Sequence, residues 1–331
     1  MKRYFLTLIF LSLPLIANLD INLVKSAKRS GLKAIPTDKN VLNMLIDPNS
    51  DMTDRKIELG KKLFFDKRLS KDNTINCASC HNLKEGGADG LSVAIGIKGQ
   101  KNPHHLNSPT VYNSVLFDVQ FWDGRSPNLA DQAKGPLLSP FEMGMTPKLA
   151  ENRINSIKGY VKEFKEAYGN NVKITFDLIA STISIFEKTL ITPSRFDDYL
   201  NGDTKALSLK EKKGLQTFID RGCINCHTGI AIGGSMQPFA IADEFKFKDI
   251  GDFKGDKDGL VKVPSLRNVV LNSPYFHNGT VVKLSDAIKE MSRIQLSITD
   301  IEDYEIENLI AFLNSLVGRK PSITEPKLPK E

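Results

Sequence analysis

Two short runs carry every cysteine in the chain: Cys77-Ala78-Ser79-Cys80-His81 and Cys223-Ile224-Asn225-Cys226-His227. In a Cys-x-x-Cys-His run, two thiols three positions apart can each form a thioether to a haem vinyl group. The adjacent His then faces the iron as proximal ligand. A thioredoxin-like disulfide needs no His and sits in a βαβ pattern that this sequence lacks. Structural zinc wants four ligands, and each motif offers three. Two disulfides would be the default for four Cys in an exported chain, but all four fall inside the motifs. The reading is two covalent haems c, one on Cys77, Cys80 and His81, the other on Cys223, Cys226 and His227.

The second axial ligand of each iron decides between electron transfer and chemistry. Only five His are present, and two are used as proximal ligands. A Met on the second iron would make a closed, relatively high-potential centre. Met236 follows His227 in a Gly-rich stretch, whereas Met291 falls on an expected helix with Leu284 and Ile288 at helical spacing. The residues alone favour Met291 modestly and leave both open.

The elements that must position these groups are mostly helices. Gly60-x-x-x-Phe64-Phe65-Asp66 precedes the first motif and Gly214-x-x-x-Phe218-Ile219-Asp220 precedes the second. Each reads as the end of an amphipathic helix that delivers the chain to a haem motif, the second opened by a Ser208-x-x-Glu211 capping box. Helical spacing also marks Thr175 to Ile191, closed by Pro193, and Thr299 to Leu316. Gly- and Pro-rich stretches at 86–109, 124–147 and 229–264 read as long loops of the kind that wrap a large cofactor. Strand signals are confined to Val261 to Val263 and Val281 to Val282. The expected architecture is mainly α, with two cytochrome c-like helical domains, each wrapped round one haem. They span 18–192 and 193–317, and 318–331 is read as a loose tail.

Met1-Lys2-Arg3, the apolar run from Tyr4 to Ile16 and the small Ala17 read as a signal peptide over 1–17. The run is short of the roughly 20 residues of a membrane span. A periplasmic mature form with no membrane span is therefore expected. The net charge of +6 over 331 residues is mild and dispersed, which speaks against nucleic acid.

The residues between the motifs resemble a known family. Asn107-Ser108-Pro109-Thr110-Val111, Gln120-Phe121-Trp122-Asp123-Gly124-Arg125 and Leu129-Ala130-Asp131-Gln132-Ala133-Lys134-Gly135-Pro136 are similar to runs in the bacterial di-haem cytochrome c peroxidases. So are Val263-Pro264-Ser265-Leu266-Arg267-Asn268 and Ser273-Pro274-Tyr275-Phe276-His277-Asn278-Gly279. The resemblance runs from about residue 50 to 316, and the superfamily includes enzymes that mature tryptophan-derived quinones. It implies that the haem on His81 is the low-potential peroxidatic site and that the haem on His227 takes electrons from a donor. It also implies Met291 as distal ligand of the second haem, Trp122 as the link between haems, and Glu142 as acid/base with Gln132 beside it. Asn107, with the carbonyls of Asn272 and Pro274, matches a calcium site. A homodimer, hydrogen peroxide as substrate and a small cytochrome c or cupredoxin as donor follow from the same likeness.

One position departs from the family. Where its well-known members carry a His that caps the peroxidatic iron at rest, this chain has Ile97, in Ile95-Gly96-Ile97-Lys98-Gly99. The same loop contains His104-His105. Either the first haem is open at rest, or one of these histidines replaces the missing cap. The expectation taken is an open haem with surface histidines. Two other functions remain in view: a di-haem electron carrier without catalysis, and a maturase-like oxidase acting on a partner protein. Maturases of the superfamily carry Tyr where Met291 stands, which leans against the latter.

Overall fold

The computed structural model describes residues 20–239 and 244–330, so the expected signal peptide lies outside the described residues. The protein is mainly helical, with two helix-rich regions in contact. Helices are α1 (20–29), α2 (Lys39–Ile46), α3 (Asp54–Phe65), α4 (Cys77–Cys80), α5 (Leu129–Leu138) and α6 (Pro147–Ser156). They continue as α7 (Lys158–Tyr168), α8 (Phe176–Glu187), α9 (Arg195–Leu200), α10 (Leu209–Asp220), α11 (Leu284–Leu296) and α12 (Asp303–Ser315). Strands β1 (Met236–Pro238) and β2 (Leu260–Lys262) pair antiparallel. No described helix is long and apolar enough to cross a membrane.

The repeated glycine and phenylalanine have one structural meaning in both halves. A Cβ on Gly60 would lie 2.2 Å from the carbonyl oxygen of Thr182 on α8, and one on Gly214 would lie 1.9 Å from that of Asn308 on α12. The missing side chain thus lets α3 cross α8, and α10 cross α12, at backbone contact. One turn later Phe64 meets Phe186 edge-on at 5.3 Å, and Phe218 meets Phe312 at 5.2 Å. Because a helix backbone cannot yield as a side-chain tip does, G60A or G214A should destabilise the protein by about 1–3 kcal/mol, outweighing the roughly 1 kcal/mol that Ala gains over Gly in a helix. Chemical denaturation of the haem-loaded variants measures this.

The repeat extends further than the helices. Pro109-Thr110-Val111-Tyr112-Asn113 and Pro264-Ser265-Leu266-Arg267-Asn268 adopt the same turn, each ending on a left-handed Asn at φ 61°. Thr110 Oγ1 donates to Gly86 O at 2.7 Å and accepts from Tyr112 N at 3.1 Å. Ser265 Oγ likewise donates to Ala231 O at 2.6 Å and accepts from Arg267 N at 3.1 Å. The two Asn side chains converge on Thr192: Asn113 Nδ2 and Asn268 Nδ2 donate to its Oγ1 at 2.7 and 2.9 Å. This fully buried polar seam joins the halves beside Pro193.

Four boundaries differ from the sequence reading. Residues 20–35 pack with the second half: Ala27 and Leu32 join its core, Lys212 pairs with Asp20 at 2.8 Å, and Ile35 N donates to Asp197 Oδ1 at 2.7 Å. Asp197 is itself held by the fully buried Arg267 at 2.8 Å. The stretch 124–147, read as loop, contains α5; its Gly135 accommodates the ring of Phe121, and Pro136 disguises the helix. The last helix starts at Asp303 rather than Thr299, where Glu302 and Glu305 form the cap. Finally, 318–330 carries no helix but is not loose. Lys320 Nζ donates to Lys84 O at 2.9 Å, Arg68 Nη2 donates to Pro329 O at 3.1 Å, and Ile323 packs on the first core.

Candidate functional site

Both Cys-x-x-Cys-His runs close the same backbone turn, with His81 N donating to Cys77 O at 3.0 Å and His227 N to Cys223 O at 3.1 Å. The first turn is pinned to the end of α3 by Asn76, whose Nδ2 donates to Phe65 O at 2.6 Å and whose N donates to Ser79 Oγ at 3.0 Å. No described Cys is in a disulfide. Burial pushes the Cys80 thiol up to about 12 and the Cys223 thiol up to about 11, and Cys77 and Cys226 move in the same direction for the same reason. These are sulfurs kept neutral, as a thioether is, rather than primed thiolates.

The two histidines occupy matching surroundings. His81 Nδ1 lies 3.3 Å from Gly87 O, which leaves Nε2 free to face a metal. Burial lowers the pKa of His81, with the backbone of Gly87 and Pro109 opposing. For His227 burial lowers it to about 4, with Ile232 and Pro264 opposing. The buried Nδ1 of His227 nevertheless makes no hydrogen bond of ordinary geometry. Both rings are thus neutral at working pH, the form that ligates iron.

A large, mostly apolar cavity opens beside the second motif. Cys223, Cys226 and His227 lie on one side, and Met291 on α11 lines the same space. Met236 is not among the residues that line it; its Sδ lies 2.5 Å from where a Cβ on Gly124 would stand. Trp122 from the first half and His277 from the second also line the cavity. Trp122 Nε1 donates to Asn107 O at 3.0 Å, its carbonyl accepts from Lys262 N at 2.8 Å, and its ring meets His277 edge-on at 6.4 Å. Trp122 therefore touches both halves. Asn107, Asn272 and Pro274 also line the cavity, and Asn107 N donates to His277 O at 2.8 Å. The Asn107 side chain donates to Leu91 O at 2.6 Å, and the buried Oδ1 of Asn272 has no partner.

At the first motif the acid is placed by a turn. Glu142 follows α5 in a chain reversal where Glu142 N donates to Ser139 O at 3.1 Å and Gly144 N to Ser139 O at 2.8 Å. Its charge is among those that raise the Cys80 thiol, after burial and Asp89. Burial raises the Glu142 carboxyl itself, opposed by Arg125 and the Ser139 hydroxyl. Gln132 is half-buried on the helix that leads into this turn. Ile97 is buried against the same turn: its N donates to Glu142 O at 2.8 Å, and its Cδ1 lies 2.5 Å from where a Cβ on Gly144 would stand.

The two loop histidines separate. His104 is exposed, and its Nδ1 meets Asp252 of the second half at 2.9 Å, its ring edge-on to Phe141 at 6.3 Å. His105, expected on the surface, is half-buried, with an Nδ1 that has no partner. Three further groups escaped the sequence reading. Asp89, close to His81, accepts from Ser108 Oγ at 3.0 Å. Glu187 is buried near Cys77 with its carboxyl pushed up to about 8, and Lys262 is buried in the cavity wall. For Glu187 the available signal was its place directly after Ile185-Phe186 on a helix of apolar spacing, and for Lys262 its place between Val261 and Val263.

The family model for di-haem cytochrome c peroxidase matches residues 54–205. The cytochrome c551 peroxidase of Pseudomonas aeruginosa is 44% identical over 290 residues, covering 84% of this chain and 83% of that protein. The chain belongs to the bacterial di-haem cytochrome c peroxidase superfamily. The cytochrome c551 peroxidase of Nitrosomonas europaea is 42% identical over 85% of this chain and 84% of its own. Among solved structures, a MauG-like protein associated with microbial copper homeostasis aligns at TM-score 0.69 and 27% identity, covering 81% of this chain and 90% of that one. With the superfamily in place, the residues at both motifs fit a covalently attached haem. The fit rests on neutral buried thiols, a neutral His with a free ring nitrogen, and at the second site a roomy apolar cavity faced by a thioether.

Proposed function

We propose that the protein is a periplasmic di-haem peroxidase that reduces hydrogen peroxide to water with electrons from a small cytochrome c or cupredoxin. The observation that carries this is the inequality of two sites built on one repeated turn, within a chain so close to named peroxidases. The second motif shares its cavity with a Met, and the first sits beside a carboxyl whose pKa is raised. When bound, the haems supply an iron position for peroxide and, between them, the two electrons that the reaction needs.

The chain's own residues do the rest. Cys77, Cys80 and His81 hold the first haem, and Cys223, Cys226, His227 and Met291 the second. Glu142 takes the proton from the near oxygen of peroxide and returns it to the far one, so that water leaves. Burial favours the neutral acid and brings its pKa toward the working pH, while Arg125 keeps it from rising further. Gln132 orients the peroxide from α5. Trp122, in contact with both halves, provides the electron route. Asn107 with the carbonyls of Asn272 and Pro274 is the calcium site, and the assembly is a homodimer.

The pH dependence follows from sign. The step needs the carboxylate, so kcat/KM falls as pH drops through the Glu142 pKa. Because that pKa is raised above its ordinary 4.5, the acid limb begins at higher pH than for a solvated Glu. R125Q removes the opposing charge and moves the limb further up. The shift is small, since water screens a side chain that is 55% exposed.

Steady-state peroxide consumption with a reduced small cytochrome c tests the function. Turnover that needs both donor and peroxide is expected. Electron exchange without peroxide consumption would identify a carrier instead, and oxidation of a partner protein with no cytochrome turnover would identify a maturase.

A further inference from the structure

Among the described residues, Lys262 is the one buried ammonium that the proposed mechanism does not use. Its residue is 4% exposed, on a strand between the buried Val261 and Val263. The side chain lines the cavity beside the second motif, and its Nζ lies 4.7 Å from the centroid of the Phe117 ring. Among the described residues the ammonium makes no hydrogen bond and no ion pair. The acid nearest in effect is Asp123, which Arg125 already holds at 2.8 Å. Burying an ammonium without an anion costs several kcal/mol, and a ring face offsets only part of that. Burial accordingly pulls the Lys262 pKa down to about 8, with Asp123 opposing. The fold does not demand a Lys here. The equivalent position of the first half, two residues before its Pro, is the neutral Asn107. The site therefore lacks an anion, and it opens into a cavity that a haem fits.

We propose that Lys262 binds a propionate of the second haem and, through that charge pair, raises the reduction potential of this haem. The inference rests on the di-haem reading. A haem presents two carboxylates on one edge, and its other edge is fixed here by Cys223 and Cys226. Only a carboxylate of the cofactor can bring an anion into this apolar space without ordering another side chain. A cation held beside the porphyrin favours the reduced iron, which carries one positive charge fewer.

The test uses the haem-loaded protein, after a pyridine haemochrome count of two haems per chain has checked the di-haem reading separately. In a spectroelectrochemical titration, K262M should lower the potential of the second haem by about a tenfold change in its reduction equilibrium, 59 mV for one electron. The first haem should stay where it is, and K262R should restore the second. An unchanged second potential, or equal shifts at both haems, overturns the proposal. Should K262M lose haem, a crystal structure of the unaltered holoprotein decides. Lys262 Nζ within hydrogen-bond distance of a propionate oxygen supports the proposal, and Nζ bound to Asp123 overturns it.

Discussion

E142Q lowers kcat/KM for hydrogen peroxide by about 10²- to 10⁴-fold, the usual range for loss of a positioned acid/base. Both haems stay attached, and the spectrum of the second is unchanged. Gln matches Glu in size, so the turn that carries residue 142 keeps its backbone hydrogen bonds, Glu142 N to Ser139 O and Ile97 N to Glu142 O, and the amide oxygen can still accept from the Ser139 hydroxyl. What is lost is the ability to accept a proton. Since burial penalises the ionised carboxyl, the neutral amide also removes a desolvation cost, and the variant should be at least as stable as the parent. That pairing separates a chemical defect from a folding one. Stopped-flow peroxide reduction and a denaturation curve on one preparation measure both. If activity and stability fall together, the acid/base assignment fails.

M291L opens the second iron. Leu conserves volume, so α11 should lose less than about 1.5 kcal/mol, whereas Met291→Ala would cost about 2–5 kcal/mol and confuse the result. Without its thioether the second haem loses the ligand that raises its potential. A fall of about 120 mV corresponds to a hundredfold change in the reduction equilibrium at 59 mV per tenfold. Donor-driven turnover falls with it, while the spectrum of the first haem does not change. A redox titration of M291L checks this. If M236L produced the loss in its place, the axial assignment would move to Met236, despite that side chain standing outside the cavity.

The features legible in the sequence were those encoded by neighbours in the chain. The motifs, the capping box at Ser208 and the Gly-x-x-x-Phe repeat are local patterns, and the structure shows the capping box and the two helix ends that the repeat marks. Helix α5 was hidden because Gly135 and Pro136 weaken its propensity, and its place is set by Phe121 packing on Gly135. The path of 20–35 into the second half depends on Asp20, Leu32 and Ile35 finding partners far along the chain, which no local pattern states. The tail is similar: charged and Pro-bearing, it looks solvated until Ile323 and Pro329 are seen against the first half. At the site, Glu142 was found only through resemblance. What sets its chemistry, burial near Cys80 with Arg125 at a distance, is three-dimensional.

The central claim is that the first iron carries no second protein ligand at rest, because Ile97 stands where the family's capping His would be and is packed against the Glu142 turn. The direct measurement is electron paramagnetic resonance of the fully oxidised protein during a cyanide titration, before any reductant is added. The account predicts a high-spin ferric signal from one haem that converts to low-spin as cyanide binds. A wholly low-spin protein that ignores cyanide would contradict it, and would point to His105, with its unpartnered Nδ1, as the cap.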